Sequence, residues 1–193
     1  MLFSAVGLGS EAEEAPAAEQ QVASRRALVI GLGSTGYEAL IKIRRLLIER
    51  FGSLQNLPVR FLCFETQGSK RQEGVTPYDH PDLALKDDEW LHLEVRGAAN
   101  INLADFPGLQ SWVPADAIRA DIRDGAGNNR LRGRLAFFWN FPQIVQRVRA
   151  QWGELLHMRP PTADVRDAVY VVGTLAGGTC SGCFVDMGYT LRH

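Results

Sequence analysis

Gly173-Thr174-Leu175-Ala176-Gly177-Gly178-Thr179-Cys180-Ser181-Gly182, preceded by the apolar run Ala168-Val169-Tyr170-Val171-Val172, is the stretch on which the reading of this sequence turns. The run is short, β-branched and free of charge, which predicts a strand buried on both faces, as in a parallel sheet. The glycines, with a Thr and a Ser, let the backbone fold tightly and aim several N–H groups at one point. A helical pattern restarts at Phe184-Val185-Asp186-Met187. Orphan amides at a helix N-terminus, with the helix dipole behind them, favour an anion such as phosphate.

Working outward, the same grammar recurs. Ala27-Leu28-Val29-Ile30 predicts a buried strand that stops at Gly31-Leu32-Gly33-Ser34-Thr35-Gly36, and Leu40, Ile43, Leu46, Leu47 and Phe51 follow at helical spacing. In such a unit Gly31 is expected to permit the turn, Gly33 to admit a phosphate to the backbone, and Gly36 to let helix pack on strand. Val59 to Phe64 predicts a further strand ending at Glu65-Thr66-Gln67-Gly68, polar residues at the strand end where open parallel sheets bind ligands. A third glycine turn, Gly125-Ala126-Gly127-Asn128-Asn129-Arg130-Leu131-Arg132-Gly133, leads into Leu135, Phe138, Phe141, Ile144, Val145, Val148, Trp152 and Leu155. These predict one amphipathic helix of about seven turns, kinked by Pro142 and closed by Pro160-Pro161.

Between the second and third turns the pattern thins. Residues 70–124 read as an irregular insertion, with one short strand at Trp90 to Val95 and a helix near Pro114 to Asp121. Residues 1–24 mix Ala, Glu and Gln without an apolar stripe and are expected to form a mobile leader, the folded domain occupying 25–193. With 193 residues, 46% of them hydrophobic, the chain suits one domain with a sizeable core. A formal charge of −1 with mixed signs gives no reason to expect a nucleic acid or an anionic membrane as partner. Three cysteines, Cys63, Cys180 and Cys183, outside any disulfide pattern, favour a cytoplasmic setting. The opening Met1-Leu2-Phe3-Ser4-Ala5-Val6-Gly7-Leu8 lacks a basic flank, so it is not read as a signal peptide. No apolar run approaches the about 18 residues of a membrane span.

Three glycine turns leading into helices, two of them straight after buried strands, gather along one edge of a right-handed parallel α/β sheet. Converging backbone nests there suit a di- or triphosphate. At this point the residues resemble a family. Ala176-Gly177-Gly178-Thr179-Cys180-Ser181-Gly182 is similar to the Gly-Gly-Thr-Gly-Ser-Gly loop of tubulins and FtsZ-type division GTPases, departing at Cys180 where that family has glycine. Gly31 to Gly36 looks like its first phosphate loop, Glu65-Thr66-Gln67 like its second, and Gly125 to Asn129 with Gly133 like its third, with Arg130 in place of a proline. The resemblance runs from about residue 26 to 193, and its overall look is of divergent bacterial tubulin-like proteins.

The resemblance implies a three-layer, Rossmann-like parallel sheet with helices on both faces, the amino-terminal part of a GTP-binding domain. It implies GTP with Mg²⁺. Gly31, Leu32, Gly33, Ser34, Thr35 and Gly36 would lie near the α- and β-phosphates, and Thr66 and Gln67 on the metal and phosphate side. Gly125, Ala126, Gly127, Asn128 and Asn129 would surround the γ-phosphate, with Ala176, Gly177, Gly178, Thr179, Cys180, Ser181 and Gly182 on the phosphates from the helix end. Glu65 and Gln67 stand where the family carries Asn and Asp, so metal ligation is not assigned to them. Assembly into a homopolymer through the nucleotide face, with hydrolysis at the contact between copies, is also implied. The base-reading loops and the water-activating acidic loop of that family come later in the chain, and no residue here is named as catalytic.

Two other readings stand beside it. Gly31 to Gly36 also fits a dinucleotide-binding oxidoreductase, with Glu65 as the ribose-binding acid, although Glu65 lies further from the motif than the usual ~20 residues and the other glycine loops go unexplained. A tubulin-fold scaffold without hydrolysis is the other. Cys180 and Cys183 make a C-x-x-C pair that elsewhere suggests redox or zinc chemistry, but no second pair exists and His80, His92 and His157 lack ligand spacing. The two cysteines are therefore read as small buried residues. Trp90, Trp112, Trp139 and Trp152 read as core, and Arg147, Arg149 and Arg159 as a solvated helix face.

Overall fold

The computed structural model describes residues 25–69, 74–76, 78–158 and 167–192. The expected leader over 1–24, and Pro160-Pro161 with Arg159, lie outside them. Strand β1 (Ala27–Leu32) is central, paired in parallel with β2 (Val59–Glu65) on one side and β4 (Ala168–Gly173) on the other, and β2 carries the short β3 (Trp90–His92). The order β3-β2-β1-β4 sets all four carboxyl ends at one edge.

Alternation along the strands separates two apolar layers. Val29, Phe61 and Cys63 face helix α1 (Gly33–Phe51), packing with Tyr37, Leu40 and Ile41. Leu28, Ile30, Leu32, Leu62 and Phe64 face the other way. Against them lie Leu135 of α3 (Arg130–Trp139), Ile144 and Leu155 of α4 (Phe141–His157) and Cys183 of α5 (Gly178–Arg192). Helices on both faces of a parallel sheet make the expected three-layer α/β fold. Residues 70–124 are less of an appendage than their composition suggests. Leu93, Val95, Leu109 in the short helix α2 (Pro107–Gln110), Val113, Ile118 and Ile122 all join the second layer.

Several local expectations are corrected. β1 does not stop at Gly31: it continues to Leu32, and the left-handed turn falls at Gly33, φ +75°. Gly31 and Gly36 instead pack backbone on backbone, a Cβ on Gly31 lying 2.8 Å from the Gly36 carbonyl carbon, which brings α1 down onto its strand. The apolar stripe of α1 is also displaced. Tyr37, Leu40, Ile41 and Arg44 are buried, whereas Leu46 and Phe51 are exposed. A charged residue can hold the core-facing position because its guanidinium reaches Glu89 at 2.8 Å and the carbonyls of Asp82 and Ala84.

The seven-turn helix is two helices. Asn140 breaks it: its side-chain amide donates to the carbonyls of Ala136 and Glu94, and α4 then starts with Pro142 in its first turn, where the missing N–H costs nothing. Strand Trp90 to Val95 shrinks to β3 plus a bridge between Val95 and Ile122, and the helix near Pro114 is a 3₁₀ turn, Ala115–Ile118. β4 is not buried on both faces; as the outermost strand of the described sheet it leaves Val169 and Tyr170 exposed. Helix α5 begins at Gly178, ahead of the expected Phe184.

Candidate functional site

Four loops meet at the carboxyl edge of the sheet around a cleft of about 230 Å³. The first is the junction of β1 and α1. Leu32 caps this helix without a side-chain hydrogen bond, so the first-turn amides of Gly33, Ser34 and Thr35 keep the donor capacity that helix geometry leaves unused. The second loop leaves β2 at Glu65, which is buried. Its Oε1 accepts the amides of Thr66 and Gln67, at 2.7 and 3.1 Å, and its Oε2 accepts the Ser34 hydroxyl at 2.8 Å. The first two loops are thus tied through one carboxylate.

Thr66 is the hub. Its hydroxyl accepts the Ala126 amide at 2.9 Å and shares a hydrogen bond with the Thr179 hydroxyl at 2.8 Å, while its carbonyl accepts the Gly125 amide at 3.0 Å. The third loop turns back on itself at Gly125 and Gly127, φ +100° and +58°, and is joined to the fourth by the Gly178 amide donating to the Gly127 carbonyl at 2.9 Å. A Cβ on Gly178 would lie 2.8 Å from the Asn129 carbonyl oxygen. The glycine there admits loop three to loop four, and the first-turn amides of α5 that remain without helical partners belong to Thr179 and Cys180.

Of the residues expected at the site, Leu32, Gly33, Ser34, Thr35, Thr66, Gln67, Gly125, Ala126, Gly127, Asn128, Gly177, Gly178, Thr179 and Cys180 line the cleft together. The others stand behind it. Gly31 and Gly36 hold α1 to its strand. Asn129 caps α3 through the amides of Leu131 and Arg132. Ala176 is exposed and bonds to the Thr174 hydroxyl, Ser181 bonds back to the Gly177 carbonyl, and Gly182 sits against the backbone of α3. Glu65, Asp124 and Thr174 also line the cleft. Glu65 was expected as the polar end of the second strand, whereas the only sequence signal for Asp124 and Thr174 is adjacency to a glycine turn.

Cys180, where the resembled family has glycine, fits because residue 173 is itself a glycine: a Cβ there would be 2.5 Å from the Cys180 Sγ. Burial raises the thiols of Cys180 and Cys183 above the ordinary range, which disfavours the thiolate despite the helix N-terminus, and both are packing residues. Among the described residues no group of three or more His, Cys, Asp or Glu is placed to hold a metal ion. The cleft offers instead hard oxygens: the carboxylates of Glu65 and Asp124 and the hydroxyls of Ser34, Thr35, Thr66 and Thr179. Among the described residues no Lys or Arg lines it. A larger apolar groove of about 890 Å³ lies under α4 and α5, lined by Phe137, Trp152, Val169 and Leu191, away from all four loops.

No helix among the described residues is long and apolar enough to cross a membrane. No protein of curated function matches the sequence. Among solved structures, CetZ from Methanosaeta thermophila strain DSM 6194 is similar at 17% identity and a TM-score of 0.54, over 87% of this chain and 33% of that one. The GDP-bound monomer of CetZ1 from Haloferax volcanii is similar at 16% identity and a TM-score of 0.53, over 86% and 37%. The chain therefore spans about a third of the length of these structures, and the likeness shows the fold they share. The family model described as "Tubulin like" matches residues 28–193, from the first buried residue of β1 past the last turn of α5, and the chain belongs to that tubulin-like family.

Proposed function

We propose that the cleft holds the polyphosphate of GTP together with Mg²⁺, as the nucleotide end of a protein that assembles with copies of itself. The observation that supports this most directly is the convergence of four loops, two of them uncapped or glycine-led helix N-termini, on one polar cleft. Anion binding by such termini rests on amides and dipole alone. At about 230 Å³ the cleft is smaller than the roughly 300–1,000 Å³ of a complete small-molecule site, which suits a polyphosphate tail rather than a whole nucleotide.

In this reading the amides of Ser34, Thr35, Thr179 and Cys180 bind phosphate oxygens. Gly125 to Asn128 close over the terminal phosphate. Glu65 acts as a brace, since its carboxylate already accepts from the Ser34 and Thr66 hydroxyls and the Thr66 and Gln67 amides. Mg²⁺ in such sites keeps several waters and takes its remaining ligands from phosphate and one or two carboxylates, a demand that Asp124 and the hydroxyls at the cleft rim can meet. The ion would supply charge neutralisation in a cleft that no Lys or Arg lines among the described residues. Hydrolysis, where it occurs, needs a water-activating group from outside the described loops.

The dinucleotide reading loses its ribose anchor, because Glu65 is buried and engaged with Ser34 and two amides. The scaffold reading keeps one specific support, that among the described residues no Lys or Arg lines the cleft. Calorimetry of the protein in its native length with GTP, ATP and NAD, each with Mg²⁺, tests the proposal. GTP bound with ATP and NAD excluded is the expected result, followed by phosphate release that rises with protein concentration. NAD binding, or no binding of any nucleotide, overturns it.

A further inference from the structure

We infer that His92, the last residue of β3, is a positioning residue for the cleft, holding the third loop against the second. The inference rests on the polyphosphate reading for its ligand, but its geometry stands alone. His92 Nε2 lies 3.0 Å from the Thr66 carbonyl oxygen and 2.9 Å from the Arg123 carbonyl oxygen. Both partners are acceptors, so Nε2 carries a proton and one N–H is shared between two loops.

The two carbonyls flank the crossing point of those loops. Gln67 and Asp124 form an antiparallel bridge there, and the Thr66 carbonyl also accepts the Gly125 amide at 3.0 Å. One residue further, the Ala126 amide reaches the Thr66 hydroxyl at 2.9 Å. The imidazole therefore braces the far side of a crossing whose near side faces the cleft. It does not line the cleft itself, so it acts through the backbone of residues 66 and 123–126. Residue 68 makes room for it: a Cβ there would lie 3.0 Å from His92 Cε1, tighter than ordinary packing allows. A lone histidine and a glycine after the second loop thus have a joint explanation that no motif supplies.

The donor and the ring volume are separable. His92→Phe keeps the ring and removes the N–H; His92→Gln places an amide N–H₂ near the Nε2 position; His92→Asn keeps polarity but falls short of it. Two readouts apply to each variant. One is hydrogen–deuterium exchange at the Gly125 and Ala126 amides in the nucleotide-free protein, and the other is calorimetric binding of GTP with Mg²⁺. Loss of one shared hydrogen bond predicts about tenfold faster exchange and about tenfold weaker binding for Phe and Asn, with Gln within about threefold of the parent on both. Unchanged exchange in His92→Phe, or a Gln variant as impaired as Phe, overturns the inference. If the parent binds no GTP, the nucleotide reading fails, while the exchange comparison still decides the role of His92.

Discussion

At the amino ends of the strands the chain is tied by charged side chains: Arg26 to Asp167 at 2.7 Å, Arg60 to Glu154 at 3.0 Å, and Arg44 to Glu89 just before β3 at 2.8 Å. At the carboxyl ends the ties are amides, carbonyls, hydroxyls, the Glu65 carboxylate and the His92 imidazole, and among the described residues no Lys or Arg lines the cleft. Opposite charges fasten one end and backbone dipoles shape the other. A side-chain cation at the cleft would hold an anion by itself. Where amides hold the anion, as we propose, affinity depends on the loops being held in place, so packing and binding would be one property at that end and separate at the other.

The comparison breaks most visibly at Arg44. Arg44→Met leaves Glu89 buried without its partner, and we expect a loss of about 3–5 kcal/mol in urea unfolding. GTP affinity of the folded fraction should not change; a parallel loss of affinity would show that the two ends are not independent. Gly178→Val is the converse case. Its side chain meets the Gly127 and Asn129 backbone, with an expected overpacking cost of about 1–3 kcal/mol and loss of GTP binding. Retained binding in that variant would remove the link between packing and affinity.

Acid sharpens the contrast more gently. The Arg26 guanidinium, donating to both oxygens of Asp167, holds that carboxyl below the ordinary carboxylate range. A depressed folded value contributes stability that is fully present above the unfolded value of about 3.9 and is lost as pH falls through the lower folded one. Asp167→Asn should therefore flatten the fall in urea midpoint between about pH 5 and pH 3, with no change in the nucleotide-free exchange of Gly125 and Ala126. The smallest effect belongs to Cys183→Ser. The new hydroxyl inherits the contact with the Gly133 carbonyl, and GTP affinity is expected within about twofold of the parent. A larger loss would make the thiol more than packing.

Much of the fold was legible because its two strongest signals are local. Short apolar runs mark β1, β2 and β4, and glycine spacing marks the loops that follow β1 and β4. What stayed hidden depends on partners distant in sequence. Spacing alone could not distinguish Gly31, which packs on Gly36, from Gly33, which makes the turn, since both are glycines at the same junction. The break at Asn140 depends on the Glu94 carbonyl, 46 residues upstream. The burial of Arg44 carries no sequence signal because Glu89, its partner, sits in the least periodic part of the chain. β4 was read as doubly buried from composition, whereas its exposure follows from strand order. At the site, the residues that form the cleft were visible as a class, but the division between those that line it and those that brace it comes only from the three-dimensional arrangement.

The backbone contact between α3 and α5 has a mechanical consequence. Gly133 lies directly against the Gly178 backbone, and at that contact no side chain separates the two helices. Loops three and four therefore share one backbone junction: the Gly127 carbonyl meets the first turn of α5 through a single hydrogen bond, so a shift of either loop is felt by the other without an intervening rotamer.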